Sequence, residues 1–240
     1  MPMMWRPRTS RKGPWRSSRP DYLPALRFAA LTPMYDSVVR WLTRERAVKA
    51  ALLEAADLER VGRMIDLGCG TGTFVIAVKR RYPGIDVVGL DPDTSVLERA
   101  AAKARRAGVD VAFVCGSATA VPMPDATFDR ATSSLMFHHL PAAQKEQAAG
   151  EVDRLLVRDG EFHLADWVQP TNVLMHALFW TVRAFDGRET TADHAHGRLV
   201  QRLQRGGLVD VRQHRTFATP VGTVGLVSAR PGRVRPGGRP

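Results

Sequence analysis

The residues best equipped for chemistry begin at 64–74, MIDLGCGTGTF, where an apolar run enters a carboxylate, Asp66, and then glycines at 68, 70 and 72. A loop this bare lets the backbone approach a ligand closely. Phosphate-binding loops use bare N–H groups in a positive potential, and an acid at the mouth opposes both. Asp66 suits a ligand that carries a positive group. A second acid, Asp91, ends the next apolar run, IDVVGLD at 85–91, where it can take the two hydroxyls of a ribose. The dinucleotide fingerprint G-x-G-x-x-G is not met. Gly68, Gly70 and Gly72 make G-x-G-x-G, and Thr73 stands where the third glycine would permit close helix–strand packing.

The pattern of the supporting elements is legible. Arg63–Leu67 reads as a strand, and Phe74, Val75, Ala77 and Val78 give a helix that stops before Pro83-Gly84. Residues 85–91 are a second strand. The helix after it turns Val96, Leu97, Ala100, Ala101 and Ala104 inward, opened by a capping-box-like Ser95-x-x-Glu98 and closed by Gly108. VAFVC (111–115), DRATSSL (129–135) and EFHLAD (161–166) are further strands, with a helix from about Ala142 to Val157 between the last two. Upstream, residues 35–58 read as helix. Strands apolar on both faces, alternating with helices, predict a Rossmann-like, doubly wound α/β sheet, mostly parallel, with helices on both faces. From about Pro170 the pattern changes to an apolar helix, NVLMHALFWTVRAF, and a more polar one, TADHAHGRLVQRLQRGG. Two extended stretches around Pro220-Val221-Gly222 then predict a C-terminal antiparallel strand pair at one sheet edge. Asp66, Asp91, Ser117, His138 and Asp166 all fall at or just past strand ends, where such sheets bind ligands.

S-adenosylmethionine has an α-ammonium, a sulfonium and no phosphate, so it answers both the acid and the glycines. The motifs IDLGCGTGTF, VVGLDPD, CGSATAVPMPDATFDRATSSLMFHHL and EVDRLLVRDGEFHLADW resemble, in order, those of class I S-adenosylmethionine-dependent methyltransferases. The nearest resemblance is to the branch that contains the menaquinone and ubiquinone biosynthesis C-methyltransferases. It covers about residues 30–229 and includes a Tyr35-Asp36 pair. The resemblance implies that Asp66, Gly68, Cys69, Gly70 and Gly72 line the methionine part and that Asp91 holds the ribose. It places Pro92 beside the adenine and Ser117 and Ala118 at its edge, with Tyr35 covering the cofactor or serving as a core aromatic. Ser117 stands where the family usually has an acid, so it is either a weaker adenine contact or a loop cap.

Methyl transfer from a sulfonium is an in-line displacement, so the protein supplies positioning and, where the acceptor must lose a proton, a base. SSLMFHHL is unlike the Asn-Pro-Pro-Tyr motif of amine and amide methylating enzymes, and no Pro-Cys pair offers a nucleophile. Cys115 reads as a core residue. His138 and His139, just past the fourth strand, are candidates for the base, the alternative being one packing and one solvated histidine. Asp166, ending the fifth strand, is a further catalytic candidate or a cap of the next turn. His194 and His196 lack a third ligand, so no metal is expected. Residues 172–185 carry Leu174, Leu178, Phe179, Trp180 and Phe185, which reads as a lid over a small apolar or aromatic acceptor, or as core packing.

Charge is unevenly placed. Of the 35 basic residues, six lie in residues 1–20 and four in residues 230–240, leaving 25 against all 24 acids in the segment between. The net +11 therefore belongs to two Pro-, Gly- and Arg-rich ends, expected to be disordered tails (1–20 and 230–240) around a methyltransferase domain (21–229) with a lid-like helical insertion at about 170–205. Two cysteines make no disulfide framework, and no stretch is long and apolar enough to span a membrane. A cytoplasmic enzyme with a small-molecule acceptor and no nucleic-acid partner is expected. The alternatives are an RNA or protein methyltransferase steered by basic tails, or a non-catalytic cofactor-binding relative.

Overall fold

Alternate residues of one short strand go to opposite sides of a sheet: Met64 enters one apolar cluster, Ile65 and Leu67 the other, all fully buried. The computed structural model in which this is seen describes residues 44–170, 175 and 188–233. Along the chain run α1 (Glu45–Ala55), β1 (Arg63–Leu67), α2 (Thr73–Arg81), β2 (Asp86–Asp91), α3 (Thr94–Arg106), β3 (Ala112–Cys115) and β4 (Phe128–Ser134). A 3₁₀ turn (Phe137–His139) follows, then α4 (Ala142–Leu155), β5 (Leu156–Trp167), α5 (Arg188–Ala195), α6 (Leu199–Arg205), β6 (Leu208–Thr219) and β7 (Gly222–Pro231).

The seven strands form one sheet in the order β3-β2-β1-β4-β5-β7-β6. β1 to β5 are mutually parallel, whereas β7 runs antiparallel to both β5 and β6, so the expected mostly parallel sheet with a C-terminal antiparallel pair is what the chain forms. From β1 the chain winds outward to β2 and β3, then crosses back to β4 on the other flank of β1. That reversal leaves a crevice above the carboxyl ends of β1 and β4. One face is covered through Val48, Leu52, Phe74, Val78 and Leu97 of α1, α2 and α3. The other is covered through Ala148, Val152, Leu155, Leu199 and Leu203 of α4 and α6. Among the described residues no helix is long and apolar enough to cross a membrane.

Several local readings change. The cap of α3 is Asp93, not Ser95: its Oδ1 accepts the N–H groups of Ser95 at 2.8 Å and Val96 at 3.3 Å. An aspartate two residues upstream outcompetes the serine because an ionised acceptor binds orphan amides more strongly. Gly108 closes the helix as expected, with φ 66 and bonds from its own N–H to Arg105 and from Val109 N–H to Ala104. The helix expected to reach Val157 stops at Leu155, because Leu156 already pairs with Phe128 in the sheet. The polar helix of 191–207 is two helices, interrupted at Gly197 with φ 68. Cys115 is half-buried rather than core, since β3 is an edge strand with a neighbour on one flank only.

The C-terminal boundary also moves. β7 continues to Pro231, and the buried carboxylate of Asp153 accepts the N–H groups of Gly232 (2.7 Å) and Arg233 (3.2 Å) and pairs with Arg233 Nε at 2.7 Å. Residues 230–233 are thus part of the fold, not of a tail beginning at 230. The expected N-terminal tail, Tyr35-Asp36 and residues 234–240 lie outside the described residues, as do residues 171–187 of the proposed lid apart from Met175, while its remainder carries α5 and α6. Deleting 234–240 should leave the denaturant midpoint unchanged, whereas deleting 232–240 should cost about 1–3 kcal/mol, the range for hydrogen bonds to a buried charge. Paired urea titrations of the two truncations check this.

Candidate functional site

The crevice is built around a carboxylate that the sheet register buries. Asp66 sits in β1 directly beside Thr132 of β4, and Thr132 Oγ donates to Asp66 Oδ1 at 2.7 Å. The other oxygen, Oδ2, is buried with no hydrogen-bond partner. Burial pushes this carboxyl up to about 7, against the pull of the Thr132 hydroxyl and of Lys49 on α1. A buried acid with one unsatisfied oxygen calls for a donor or a cation.

The glycine loop beyond it has already used its amides. Gly68 and Cys69 donate to the Leu90 carbonyl at 2.8 and 2.9 Å, Gly72 donates to Cys69 at 3.0 Å, and Gly70 donates to Asp91 Oδ2 at 3.0 Å. These N–H groups cannot also cradle a phosphate. The tight turn requires glycine for another reason: at Gly68, with φ 71, a Cβ would lie 2.5 Å from Met136 Cγ. At Gly70, with φ 54, a Cβ would meet nothing within 4 Å, so open space lies against the backbone there. Cys69 is buried, and burial together with Asp66 and Asp91 raises its thiol pKa, which removes it as a nucleophile.

Asp91 ends β2 with Oδ1 accepting Asp93 N–H at 3.0 Å and Oδ2 accepting Gly70, fixing the carboxylate at the crevice rim. Burial raises its pKa, and the two backbone donors oppose that. Pro92 follows, exposed, while Ala118 is buried beyond β3. The hydroxyl of Ser117 is turned into its own loop, 2.8 Å from Thr119 Oγ1 and accepting Thr119 N–H at 3.2 Å, which is the loop-cap arrangement. Asp66, the three glycines and Asp91 are therefore gathered at the adjacent carboxyl ends of β1 and β2. Their fit is to a ligand with a cationic end and a diol, not to a polyphosphate. Tyr35 lies outside the described residues.

A second buried acid lies two strands away. Asp166, near the end of β5, is fully buried and accepts from His138 Nδ1 at 2.8 Å, from His138 N–H at 3.3 Å and from Trp167 N–H at 2.7 Å. Burial would push this carboxyl up, but the charge and hydrogen bond of His138, with His194 and the Trp167 amide, hold it below the usual carboxylate range. His139 lies against His138 with ring centroids 3.9 Å apart and planes tilted by 43°, and the charge of His138 with burial lowers its pKa to about 3. The expected catalytic candidates His138, His139 and Asp166 are thus brought together.

His194 joins them, a residue considered from the sequence only as half of a metal site. It is fully buried on α5, with its ring 6.2 Å from that of His138 and Nδ1 2.5 Å from the Trp167 carbonyl. Burial lowers its pKa to about 4. His196 is exposed, and among the described residues no group of three ligating side chains could hold a metal. Lys145, also buried, fastens α5 by donating to the carbonyls of Leu140 (2.7 Å) and Thr190 (2.6 Å). Nothing in the spacing of His194 marks it, because it lies 27 residues beyond Trp167, the last residue of β5.

Residues 64–160 match the model of a methyltransferase domain. A demethylmenaquinone methyltransferase of Thermus thermophilus is 35% identical over 150 residues, covering 60% of this chain and 65% of the relative. An uncharacterized methyltransferase of Synechocystis is 31% identical over 156 residues, covering 63% of this chain and 69% of the relative. The crystal structure of YcgJ from Bacillus subtilis superimposes with a TM-score of 0.57 at 25% identity, over 72% of each chain. The chain spans just under two thirds of the length of the Thermus enzyme.

The raised Asp66 carboxyl has a consequence for stability. Its folded pKa, about 7, exceeds the unfolded one, so its protonated form favours folding and that contribution is lost as pH rises from about 4 through 7. Asp66→Asn should accordingly raise the melting temperature at pH 8 and leave it nearly unchanged at pH 4. Calorimetric scans at the two pH values check it. A larger gain at pH 4 would show that Asp66 is ionised at low pH.

Proposed function

The chain belongs to the class I S-adenosylmethionine-dependent methyltransferases, and from that premise we propose that it methylates a ring carbon of a small, largely apolar aromatic acceptor of the reduced-quinone kind. The observation that carries this reading is the buried His138–Asp166 pair at the ends of β4 and β5, beside the crevice that Asp66 and Asp91 bound. The name of the Thermus relative supports the acceptor class.

When bound, S-adenosylmethionine supplies a methyl group on a sulfonium. The unsatisfied Oδ2 of Asp66 would take the amino group of its methionine part, with the backbone of Gly68, Cys69, Gly70 and Gly72 alongside. Asp91 would hold the ribose hydroxyls through lone pairs not used by its two backbone donors. Pro92, Ala118 and the loop of Ser117 would flank the adenine, with Tyr35 over the cofactor.

An aromatic carbon that gains a methyl group must lose a proton, and a ring hydroxyl that ionises makes that carbon more nucleophilic. His138 is built for this step. With Nδ1–H held by Asp166, Nε2 is the basic nitrogen, and the anionic Asp166 stabilises the imidazolium formed when a proton arrives. Asp166 orients and compensates and does not itself take the proton. His139, kept neutral by its neighbour, adds no competing positive charge.

Incubation with S-adenosylmethionine and chemically reduced demethylmenaquinone should yield the methylated quinone by mass spectrometry. A protein that binds the cofactor and leaves this acceptor untouched overturns the acceptor assignment. Asp166→Asn should lower kcat by roughly 10²- to 10⁴-fold, the usual worth of general acid–base help, with cofactor affinity held within about twofold. A fall in cofactor affinity instead would mark Asp166 as structural.

Cofactor affinity itself should depend on pH through Asp66. The carboxyl is protonated below about 7, and only its anion attracts an ammonium, so affinity falls as pH drops below 7 and binding releases a proton. Calorimetry in buffers of different ionisation enthalpy measures that proton. Asp66→Asn should abolish both the release and the slope.

A further inference from the structure

The ring of His194 is turned so that one nitrogen is committed and the other is not. The Trp167 carbonyl, 2.5 Å from Nδ1, can only accept, so Nδ1 carries the hydrogen and Nε2 is left with a lone pair. That Nε2 is buried and has no hydrogen-bond partner. Leaving a buried acceptor unsatisfied is costly, and such deficits in a folded protein call for an explanation. Here the ring also forms part of the wall of a cavity of about 280 Å³, whose other walls include Val168, Pro170, Leu199, Val200 and Val227 together with the amides Gln169 and Gln213. The cavity mixes apolar walls with amide groups, as a ring bearing a polar substituent requires, and adjoins the His138–Asp166 pair through His194, whose ring stands edge-on to His138.

We infer that His194 Nε2 is a specificity-determining acceptor that receives a hydrogen bond from a hydroxyl, or an equivalent donor, on the methyl acceptor. The inference rests on the methyltransferase reading of the site but not on which carbon is methylated. It assigns two imidazoles two tasks. His138, backed by a carboxylate, handles the proton. His194, backed only by a carbonyl, reads the substrate's donor and orients the ring that carries it. The surroundings keep His194 an acceptor: burial disfavours its imidazolium, Lys145 and a protonated His138 oppose it further, and Asp166, the opposing carboxylate, is occupied by His138. His139 belongs to the same cluster, and Asp193 on α5 is engaged by Arg202 at 3.2 Å. A substrate lacking the donor would leave Nε2 as unsatisfied as it is in the protein alone, which is how a polar site rejects close analogues.

The test uses binding rather than turnover. Protein saturated with S-adenosylhomocysteine is titrated with 1-naphthol and with 1-methoxynaphthalene, which differ in the donor. Wild type should favour the naphthol by about tenfold, the worth of one satisfied buried acceptor. His194→Asn keeps a donor for the Trp167 carbonyl and removes the far nitrogen, and should bring the ratio to near one with S-adenosylhomocysteine affinity unchanged. His194→Gln, which places an amide oxygen near the lost nitrogen, should restore most of the preference. An unchanged ratio in the asparagine variant, or no preference in wild type, overturns the inference. Should the asparagine variant fail to fold, ¹⁵N spectra of wild-type histidines decide. Naphthol must shift the His194 Nε2 resonance away from its bare-nitrogen position, and an unmoved resonance overturns the role. A wild type that discriminates naphthol yet ignores reduced demethylmenaquinone would instead fault the acceptor assignment and leave His194 standing.

Discussion

Two carboxylates taken out of water at the carboxyl edge of one sheet set the terms for everything around them. A buried anion must be paired or neutralised, and Asp66 and Asp166 take opposite routes. Asp166 is compensated within the protein, by an imidazole and two backbone amides, and its pKa is lowered. Asp66 has a single hydroxyl and keeps a buried oxygen unsatisfied, so its pKa is raised. One acid is finished and the other is waiting. The parallel register of β1 against β4 enforces the difference, since it places Thr132 rather than a cation beside Asp66.

The same economy of charge governs the histidines. Three imidazoles and one lysine gather around one carboxylate, and only His138 lies in contact with it. Its positive charge suppresses protonation of His139, and burial suppresses that of His194. The cluster can therefore hold one mobile proton near Asp166 without accumulating repulsive charge. α5 has to be held in place for this to work, and the buried Lys145, with Asp193 held by Arg202, does so.

What could be read in advance follows the range of the forces involved. Apolar alternation and glycine spacing are local, so the strands, the glycine loop, Asp66 and Asp91 were legible, and so was the grouping of His138, His139 and Asp166 at strand ends. Cap competition was misjudged at Ser95, because the stronger acceptor, Asp93, lay two residues upstream. Cys115 was misjudged because an edge strand has the same composition as a central one. The pairing of Arg233 with the buried Asp153 was invisible because a Pro/Gly/Arg-rich end gives no periodic signal, whatever its partner. His194 was missed for the deeper reason that its value depends on a backbone carbonyl and a distant helix, neither of which leaves a spacing.

The position of β7 between β5 and β6 also governs how the chain assembles. β5, the strand that bears Asp166, gains its outer partner only after α5, α6 and β6 have been made, and β6 reaches the sheet solely through β7. During synthesis the outer edge of β5 must wait with its amides unpaired, flanking an apolar face. The β6–β7 hairpin then has to close locally and dock as a unit, a pairing of high sequence separation that is slow and open to intermolecular rivals. The bulges in β6 at Val209/Arg212 and Gln213/Thr216 bend the finished sheet's last edge away from such rivals. β5 has no comparable protection until β7 arrives, so the strand carrying the proton-handling pair is also the one most dependent on chaperoning in the nascent chain.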